Sequence, residues 1–573
     1  MRSSYPFRLF LPSLLPALLL LQGCSSAPRT GLDASSTVAV QKTDAQRLQE
    51  ARDLLKQARS TPIRTNRLRY ALAAAQQTWP LLPGWTAADP DELEIWSDDP
   101  AVQIYNEASA VAARNWRKLA DDPDDLADTG FQITADAETT QFLQGSLALD
   151  ELEPASKYKR RALKESKHRP GIGGKMVGVI EPTAQVREQH PFMPPRGYRL
   201  PVTAVWDFGE PDRDGTPSAV IVRLRKADVT ETIDLENREM ALAADLSAPL
   251  EALAPEGSSF IAGLIGLINP LQPRVTTGLH LLQPYDPDRI PVIMVHGLQS
   301  VPAMWGDLLN DLEAHPEIVE KYQFGVFGYP TGLPIPYNAE QLRLRLEQLE
   351  ATYSLPKGMI LIGHSMGGLL SRMQVTDSNR AIWDTLFGDK ADALLGVTPQ
   401  DDILYQSLIF EADDDVERVI YIATPHRGSG LADNWIGRIG SALVKIPVAG
   451  FVVSTGSTVL ESILTGRSPV DVAERLGLQR QTPNSVSGLS PESPILLSLD
   501  TLEMQGPHHS IIGNIKGDDV PIEQTTDGVV PYWSSHVSSV ESEIVLPGGH
   551  GIYKNPDATV ELIRILKLHL DQQ

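Results

Sequence analysis

Along the chain, the spacing of apolar positions shifts from helical, to mixed and short, to an alternation of solid apolar runs with amphipathic stretches. Leu48, Ala51, Leu55 and Ala58 recur at helical spacing, as do Val102, Tyr105, Ala112 and Trp116, and residues 67–79 read as another helix between them. Such positions share one face of a helix with 3.6 residues per turn, so 44–125 is expected to be a helical region, a small bundle or a pair of helical hairpins. Nothing in that pattern calls for chemistry, and it reads as a packing module. From 126 to 285 the apolar runs shorten; 198–206 and 219–224 read as strands and Asp212-Arg-Asp-Gly215 as a turn, which predicts a β-rich middle domain.

After residue 286 the rhythm becomes strand, loop, helix, repeated. Continuous apolar runs at 291–295, 324–328, 359–362 and 419–423 alternate with helical patterns at 308–322, 339–353 and 366–375. Strands apolar on both sides belong in a parallel sheet covered on both faces, so 286–573 is expected to be an α/β domain with its site at the carboxyl ends of the strands. Insertions at about 376–417 and 431–505 interrupt this rhythm where caps and lids sit. The second insertion is unusually apolar at 436–444, 451–454 and 459–464, as is 261–268 ahead of the domain. Two readings of these stretches stand open: the wall of an acyl pocket or a bilayer contact, and the cap's own core.

Composition narrows the classes. A chain of 573 residues exceeds what one core supports, so two or three domains are expected. At 42% hydrophobic and 21% charged it is neither disordered throughout nor a polytopic membrane protein. Lys and Arg number 50 against 73 Asp and Glu, a formal net charge of −23 that repels nucleic-acid backbones. Against that sign, Lys157-Tyr-Lys-Arg-Arg161 is a basic island, readable as a solvated loop or as a surface facing anionic head groups. Gly171-Ile-Gly-Gly174 lacks the strand and helix that a phosphate loop needs.

The first residues read as an address. Arg2 and Arg8 precede an apolar run over 9–21 broken by Pro12 and Pro16, shorter than a membrane span of roughly 20 residues. Cys24 is the only cysteine, so it has no internal partner for a disulfide. Leu21-Gln-Gly-Cys24 resembles the lipobox of bacterial lipoprotein precursors. That resemblance implies a signal peptide over 1–23, acylation of Cys24 and a lipid-anchored place in the cell envelope, while the Ser, Thr, Ala and Gly composition after it reads as a flexible tether over 24–43. Ser25 after the cysteine resembles outer-membrane sorting, for a two-membrane source.

The candidate chemistry gathers around Gly363-His-Ser-Met-Gly-Gly368, which follows the apolar strand at 359–362 and opens the helix at 366. A serine exposed on a tight strand-to-helix turn leaves no room for neighbouring side chains, which accounts for Gly363 and Gly367. With Val295-His-Gly-Leu298 at the end of an earlier strand, the chain resembles α/β-hydrolases, in particular bacterial lipases that pair an HG-x oxyanion turn with a GHS-x-GG elbow. The resemblance implies Ser365 as nucleophile, the amides of Leu298 and Met366 as oxyanion donors, and Gly297 as a turn residue. Thr526-Asp527-Gly-Val-Val-Pro531 is similar to the acid-bearing DG-x-V loop of those lipases, with Asp518, Asp519 and Glu523 as rivals in a more polar stretch.

His550 stands in a glycine turn after the strand-like 544–546, where flexible backbone brings it over the sheet edge, and the order Ser365, Asp527, His550 is the one expected for the fold. His364 adjoins the serine, but an adjacent residue on the elbow points elsewhere, and His508, His509 and His536 lack the strand-end, glycine-turn placement. His296 reads as structural, and His426 lies in a segment similar to the TPH-x-GS stretch of the same lipases, where it supports the site. The resemblance covers 286–573, and the whole chain also looks like lipid-anchored bacterial hydrolases with long N-terminal extensions.

The expectation is therefore a serine hydrolase of carboxylic esters, of lipid or other acyl type, working through an acyl-enzyme. Acyl transfer or thioester cleavage would use the same residues. A non-catalytic envelope scaffold is the reading from another class, weakened by the presence of every catalytic residue type. No cofactor, protein partner or metal is implied: no His-x-x-x-His cluster occurs, although calcium held by scattered oxygens stays open.

Overall fold

The computed structural model describes residues 42–82, 95, 97–208, 218–235, 238–254, 277–430, 488–517 and 519–573. The expected signal peptide, Cys24, Ser25, all but the end of the tether, the turn at 212–215, the apolar run 261–268, most of the second insertion (431–487) and Asp518 lie outside them. Residues 44–573 form one compact unit.

Helices α1 (Asp44–Ser60), α2 (Arg64–Thr78) and α3 (Pro100–Leu119) arise where the apolar spacing predicts them. Asp99 caps α3, its side chain accepting the Ala101 amide, with Pro100 at the first helical position. They do not form a domain of their own. Ala51, Leu72, Tyr105 and Trp116 share one core with Val202, Trp206 and Val220 of a five-stranded sheet, so the expected helical and β-rich regions are a single module. The sheet runs in the order β1 (Phe131–Ala135), β5 (Ser218–Lys226), β4 (Tyr198–Phe208), β3 (Gly174–Ile180), β2 (Glu151–Pro154). A buried seam joins helix to sheet: the Tyr105 hydroxyl donates to the Trp206 carbonyl at 2.7 Å and accepts its amide at 3.0 Å, and Trp206 Nε1 donates to the Ser109 carbonyl at 3.2 Å. Gly174 permits this closeness, since a Cβ there would stand 2.7 Å from Ala110 Cα. The glycine-rich run at 171–174 thus serves packing.

The second sheet has seven strands, ordered β6 (Gly278–Leu281), β8 (Tyr322–Gly328), β7 (Ile290–Val295), β9 (Met359–His364), β10 (Val416–Ile422), β11 (His508–Asn514), β12 (Ser542–Pro547). All its pairs are parallel except β6 with β8. The sheet therefore begins at Gly278, ahead of the boundary expected at 286.

Period-two alternation sorts the strand residues onto two faces. Ile293, Val295, Leu361 and Tyr421 pack with α5 (Ile335–Thr352) and α6 (Met366–Arg372), while Val292, Met294, Ile360 and Ile420 pack with α4 (Gly306–Leu312) and α7 (Pro556–Gln572). A mostly parallel sheet, covered on both faces and turning from strand to helix at Ser365, is the α/β-hydrolase fold.

The first insertion, 376–417, is not a free-standing cap: its Ile382, Trp383, Leu408 and Phe410 join the core on the α5 side. Among the described residues no helix is long and apolar enough to cross a membrane.

Candidate active site

Ser365 sits between β9 and α6 with φ 55° and ψ −124°, a backbone conformation that costs on the order of 1–3 kcal/mol for a residue with a Cβ. Its amide donates to the Ile422 carbonyl at 2.9 Å, hooking the elbow to the end of β10. The surrounding glycines are spatial requirements. A Cβ at Gly363 would stand 2.5 Å from Gly368 Cα, one at Gly367 2.5 Å from the His296 carbonyl oxygen, and one at Gly297 2.9 Å from Ser365 Cβ. A Cβ at Gly368 would meet Thr424 Cβ at 2.8 Å. Elbow and oxyanion turn are thus pressed together with almost no space between their backbones, and the Thr424 side chain packs against Gly368.

His550 Nε2 lies 2.9 Å from Ser365 Oγ, and His550 Nδ1 lies 2.7 Å from Asp527 Oδ2. Asp527 has a fully enclosed side chain at 1% exposure, against 24% for His550. Its second oxygen accepts the amides of Val529 at 2.7 Å and Val530 at 2.6 Å, which fixes the carboxylate and leaves Oδ2 aimed at the ring. Gly513, at the end of β11, makes room, since a Cβ there would stand 2.9 Å from Asp527 Cβ. The rivals Asp519 and Glu523 are exposed.

Leu298 and Met366 bracket the serine, and among the described residues neither amide meets an acceptor, so both are free to donate. Gln299, next to Leu298, has φ 55° and donates its amide to Thr331 Oγ1 at 3.3 Å, holding that turn open.

The other histidines sort by contact. His296 is buried, stacked on Tyr329 at 4.4 Å between ring centres, and pushed down to about 4 by burial, as a structural residue is. His426 is buried edge-on against Tyr421 and held far below its ordinary range by burial and then by Arg372. The segment it belongs to braces the acid loop: Ser429 Oγ donates to the Val529 carbonyl and Arg427 Nη1 to the Trp533 carbonyl at 3.0 Å. His508 and His509 lie within β11, and His536 pairs with Glu543 at 2.8 Å.

His364 makes a contact that the sequence reading did not include. Its Nε2 lies 2.8 Å from the His550 carbonyl oxygen, so with its proton on Nε2 it pins the backbone of the turn that carries His550. Burial, and then the neighbouring His550, push it down to about 3, which keeps the ring neutral. The available signal was strand parity: counting by two from Ile360 and Ile362 puts His364 on the α4 and α7 face, beside Trp305 and Tyr553.

For metals, the group brought together among the described residues is Glu350, Asp413 and Asp415, at the amino end of β10 and so at the opposite edge from Ser365. Burial, and then the neighbouring Asp413, raise Glu350 to about 8.

The chain matches no protein-family model and no curated protein. Among solved structures it is similar to a Bacillus licheniformis lipase in mature form, with 19% identity over 50% of this chain and 97% of that one, TM-score 0.26. It is also similar to lipase 1 from Pelosinus fermentans, with 15% identity, 50% and 98% coverage and TM-score 0.29. A third likeness is to a thermophilic esterase from Thermogutta terrifontis, butyrate bound, with 14% identity, 53% and 92% coverage and TM-score 0.28.

Proposed function

We propose that this chain is a serine hydrolase of carboxylic esters acting on lipid or other acyl substrates. The observation that carries the reading is the unbroken relay from Ser365 Oγ through the His550 ring to an enclosed Asp527, built on a strained elbow at the carboxyl edge of the sheet. In this mechanism Ser365 Oγ attacks the acyl carbon while its proton passes to His550 Nε2. Asp527 keeps the Nδ1 proton in place and offsets the imidazolium charge. The Leu298 and Met366 amides receive the charge that develops on the carbonyl oxygen, a contribution worth on the order of 10²–10³ in rate per donor. The His550 proton leaves with the alcohol, and a water activated by His550 then releases the acid and frees the serine.

A fluorophosphonate probe tests the nucleophile. It is expected to label the protein and to spare Ser365→Ala; equal labelling of both would sink the assignment. We also propose that Cys24 carries the lipid anchor in the cell envelope, supported by the order of charge, apolar run and lone cysteine. Incorporation of an alkynyl fatty acid by the wild type but not by Cys24→Ala is the expected result.

A further inference from the structure

One peptide of the oxyanion turn is oriented by side chains that touch no substrate. Gly297 packs onto the nucleophile: a Cβ there would stand 2.9 Å from Ser365 Cβ and 3.0 Å from His364 Nδ1. The peptide joining Gly297 to Leu298 therefore lies beside Ser365. In a planar trans peptide the carbonyl and the N–H point opposite ways, so whatever holds the Gly297 carbonyl also aims the Leu298 amide. His296 Nδ1 lies 3.0 Å from that carbonyl oxygen. A carbonyl oxygen only accepts, so the ring, kept neutral by burial, carries its proton on Nδ1 and donates it there. The Leu298 amide is thereby turned away from the fully buried ring, and among the described residues it meets no acceptor. Rotation of this one peptide would bring a carbonyl to where the donor must be, and a carbonyl repels an oxyanion.

Tyr329, just after β8, holds His296 twice. Its buried ring stacks on the imidazole at 4.4 Å between centres and 14° between planes, and Phe327 stacks on Tyr329 in turn at 5.5 Å. Its hydroxyl donates to the His296 carbonyl oxygen at 2.6 Å, so one side chain fixes both the ring and the backbone of His296. A Cβ on Gly367 would stand 2.5 Å from the same oxygen, so the nucleophile elbow packs against the tied peptide. Two residues on, Thr331 Oγ1 accepts the Gln299 amide at 3.3 Å.

Residues 329–331 thus grip the oxyanion turn on both sides of Leu298, at the His296 carbonyl before it and at the Gln299 amide after it. The loop is pinned from behind by Asn338, buried in the first turn of α5, whose Nδ2 donates to the Pro330 carbonyl at 3.3 Å and the Leu333 carbonyl at 3.0 Å. Such a grip also sustains the positive φ of 55° at Gln299, a strained conformation for a residue with a Cβ.

We propose that Tyr329 is a positioning residue of the ester-cleaving site: it holds His296, His296 holds the Gly297 carbonyl, and the Leu298 amide is thereby aimed at the oxyanion before substrate arrives. This rests on the ester-hydrolase reading above and assigns the loop after β8 a part in it. A donor aimed in advance costs no reorganisation at the moment of reaction, which is where its value lies.

The test uses the full chain, a soluble ester and a trifluoromethyl ketone shaped like its acyl part. Ser365 Oγ adds to the ketone carbon, the serine proton passes to His550 and the ketone oxygen becomes the oxyanion, so inhibition reports the hole without turnover. Tyr329→Phe, which keeps the stack and loses the hydroxyl, is expected to lower kcat about tenfold with little change in KM, and to weaken ketone inhibition by a similar factor. His296→Phe, which keeps a ring and loses the Nδ1 donor, is expected to lower both by about 10- to 100-fold, and His296→Asn, which keeps a donor near Nδ1, to recover part of the loss. The double variant Tyr329→Phe with His296→Phe is expected to lose no more than His296→Phe alone, since both act on one amide. Tyr105→Phe, which strips a buried hydroxyl beside the other sheet, is expected to keep the wild-type kcat and inhibition. Rates are taken per site titrated with a fluorophosphonate, so unfolded protein does not count as lost rate. An unchanged kcat per site in both Tyr329→Phe and His296→Phe overturns the positioning, as does a loss of rate without weaker ketone inhibition. A wild type that cleaves no ester and takes no fluorophosphonate ends the hydrolase reading and this inference with it, whereas an active wild type indifferent to these substitutions ends the inference alone.

Discussion

The two sheets of this chain spend their polar groups differently. In the five-stranded sheet, buried polar side chains close onto backbone: Tyr105 onto Trp206, Thr203 Oγ1 onto the Ala243 carbonyl at 2.5 Å, and Thr139 Oγ1 between the Leu224 amide at 2.7 Å and the Val222 carbonyl at 3.2 Å. At the carboxyl edge of the seven-stranded sheet, His296 Nε2, His364 Nδ1, Thr424 Oγ1 and His426 Nε2 are buried without a partner. Among the described residues, the non-glycine positions with positive φ are Gln299, Ser365, Asn379 and Ala423, all in the half with the larger sheet. The first half leaves Gln77 Oε1, Ser109 Oγ, Tyr198 OH and Asp228 Oδ1 unpaired, and the second has others beyond the four atoms named, Asn338 Oδ1 and Gln374 Oε1 among them, so the difference is one of degree. The strained Ser365 and four unmet polar atoms meet at the edge proposed as the active site, and the surrounding structure holds them there.

The sharpest way to break this comparison is to remove the relay. His550→Ala is expected to lower kcat for a soluble ester by about 10⁴–10⁶ while leaving the denaturation midpoint near that of the wild type, read by denaturant melts beside initial rates. A loss of less than tenfold would mean that the strained edge is not the working site.

A smaller loss separates positioning from chemistry. His364→Ala removes the donor that pins the His550 carbonyl and is expected to lower kcat roughly 10- to 100-fold with little change in KM, because a misaligned base costs rate and not ground-state binding. His364→Asn, which keeps a donor, is expected to recover part of that rate. If both variants lose activity only in step with stability, His364 is a packing residue.

Much of this site was legible before any coordinates, and the reason is steric. Gly297, Gly363, Gly367 and Gly368 each stand where a Cβ would strike backbone or a neighbouring side chain, so the elbow writes itself into the sequence as glycines. Solid apolar runs likewise announced β7, β9 and β10, whose two faces are both covered. What stayed hidden depends on long-range contact. Whether α1 to α3 form a domain or complete one is decided by Trp206 and its partners, far away in the chain, and apolar spacing carries no record of them. The first insertion read as a cap because it interrupts the strand rhythm, yet its Trp383 and Phe410 fill the core. His364 was set aside as the base because a neighbour of Ser365 points elsewhere, and its contact with the His550 carbonyl, 186 residues along the chain, left no mark in the sequence.

The contrasting variant lies in the other sheet. Tyr105→Phe strips the hydroxyl that serves both the amide and the carbonyl of Trp206, leaving two buried backbone groups unmet. It is expected to cost about 1–3 kcal/mol of stability and nothing in kcat. A rate loss comparable to that of His364→Ala would show that the two halves are not divided in this way.

Acid should widen the same division by a smaller step. In the unfolded chain His296 and His364 take up a proton near pH 6.5, whereas in the fold burial holds them down to about 4 and about 3. Between those values the unfolded state binds more protons than the folded one, so stability falls as pH falls, by at most about 1.4 kcal/mol per pH unit for each ring, and is flat above pH 6.5 as far as these two are concerned. Both rings belong to the strained edge, His296 in the oxyanion turn and His364 under the His550 turn. Lowering the pH from 7 to 5 is therefore expected to lower the amide protection factors, exchange rates corrected for the intrinsic rate at each pH, first around 295–299 and 363–368, while the Tyr105 and Trp206 seam keeps its protection. Faster exchange at Trp206 than at Gly363 would assign the acid-labile element to the wrong half, because the seam that joins α3 to the first sheet contains no histidine to be charged.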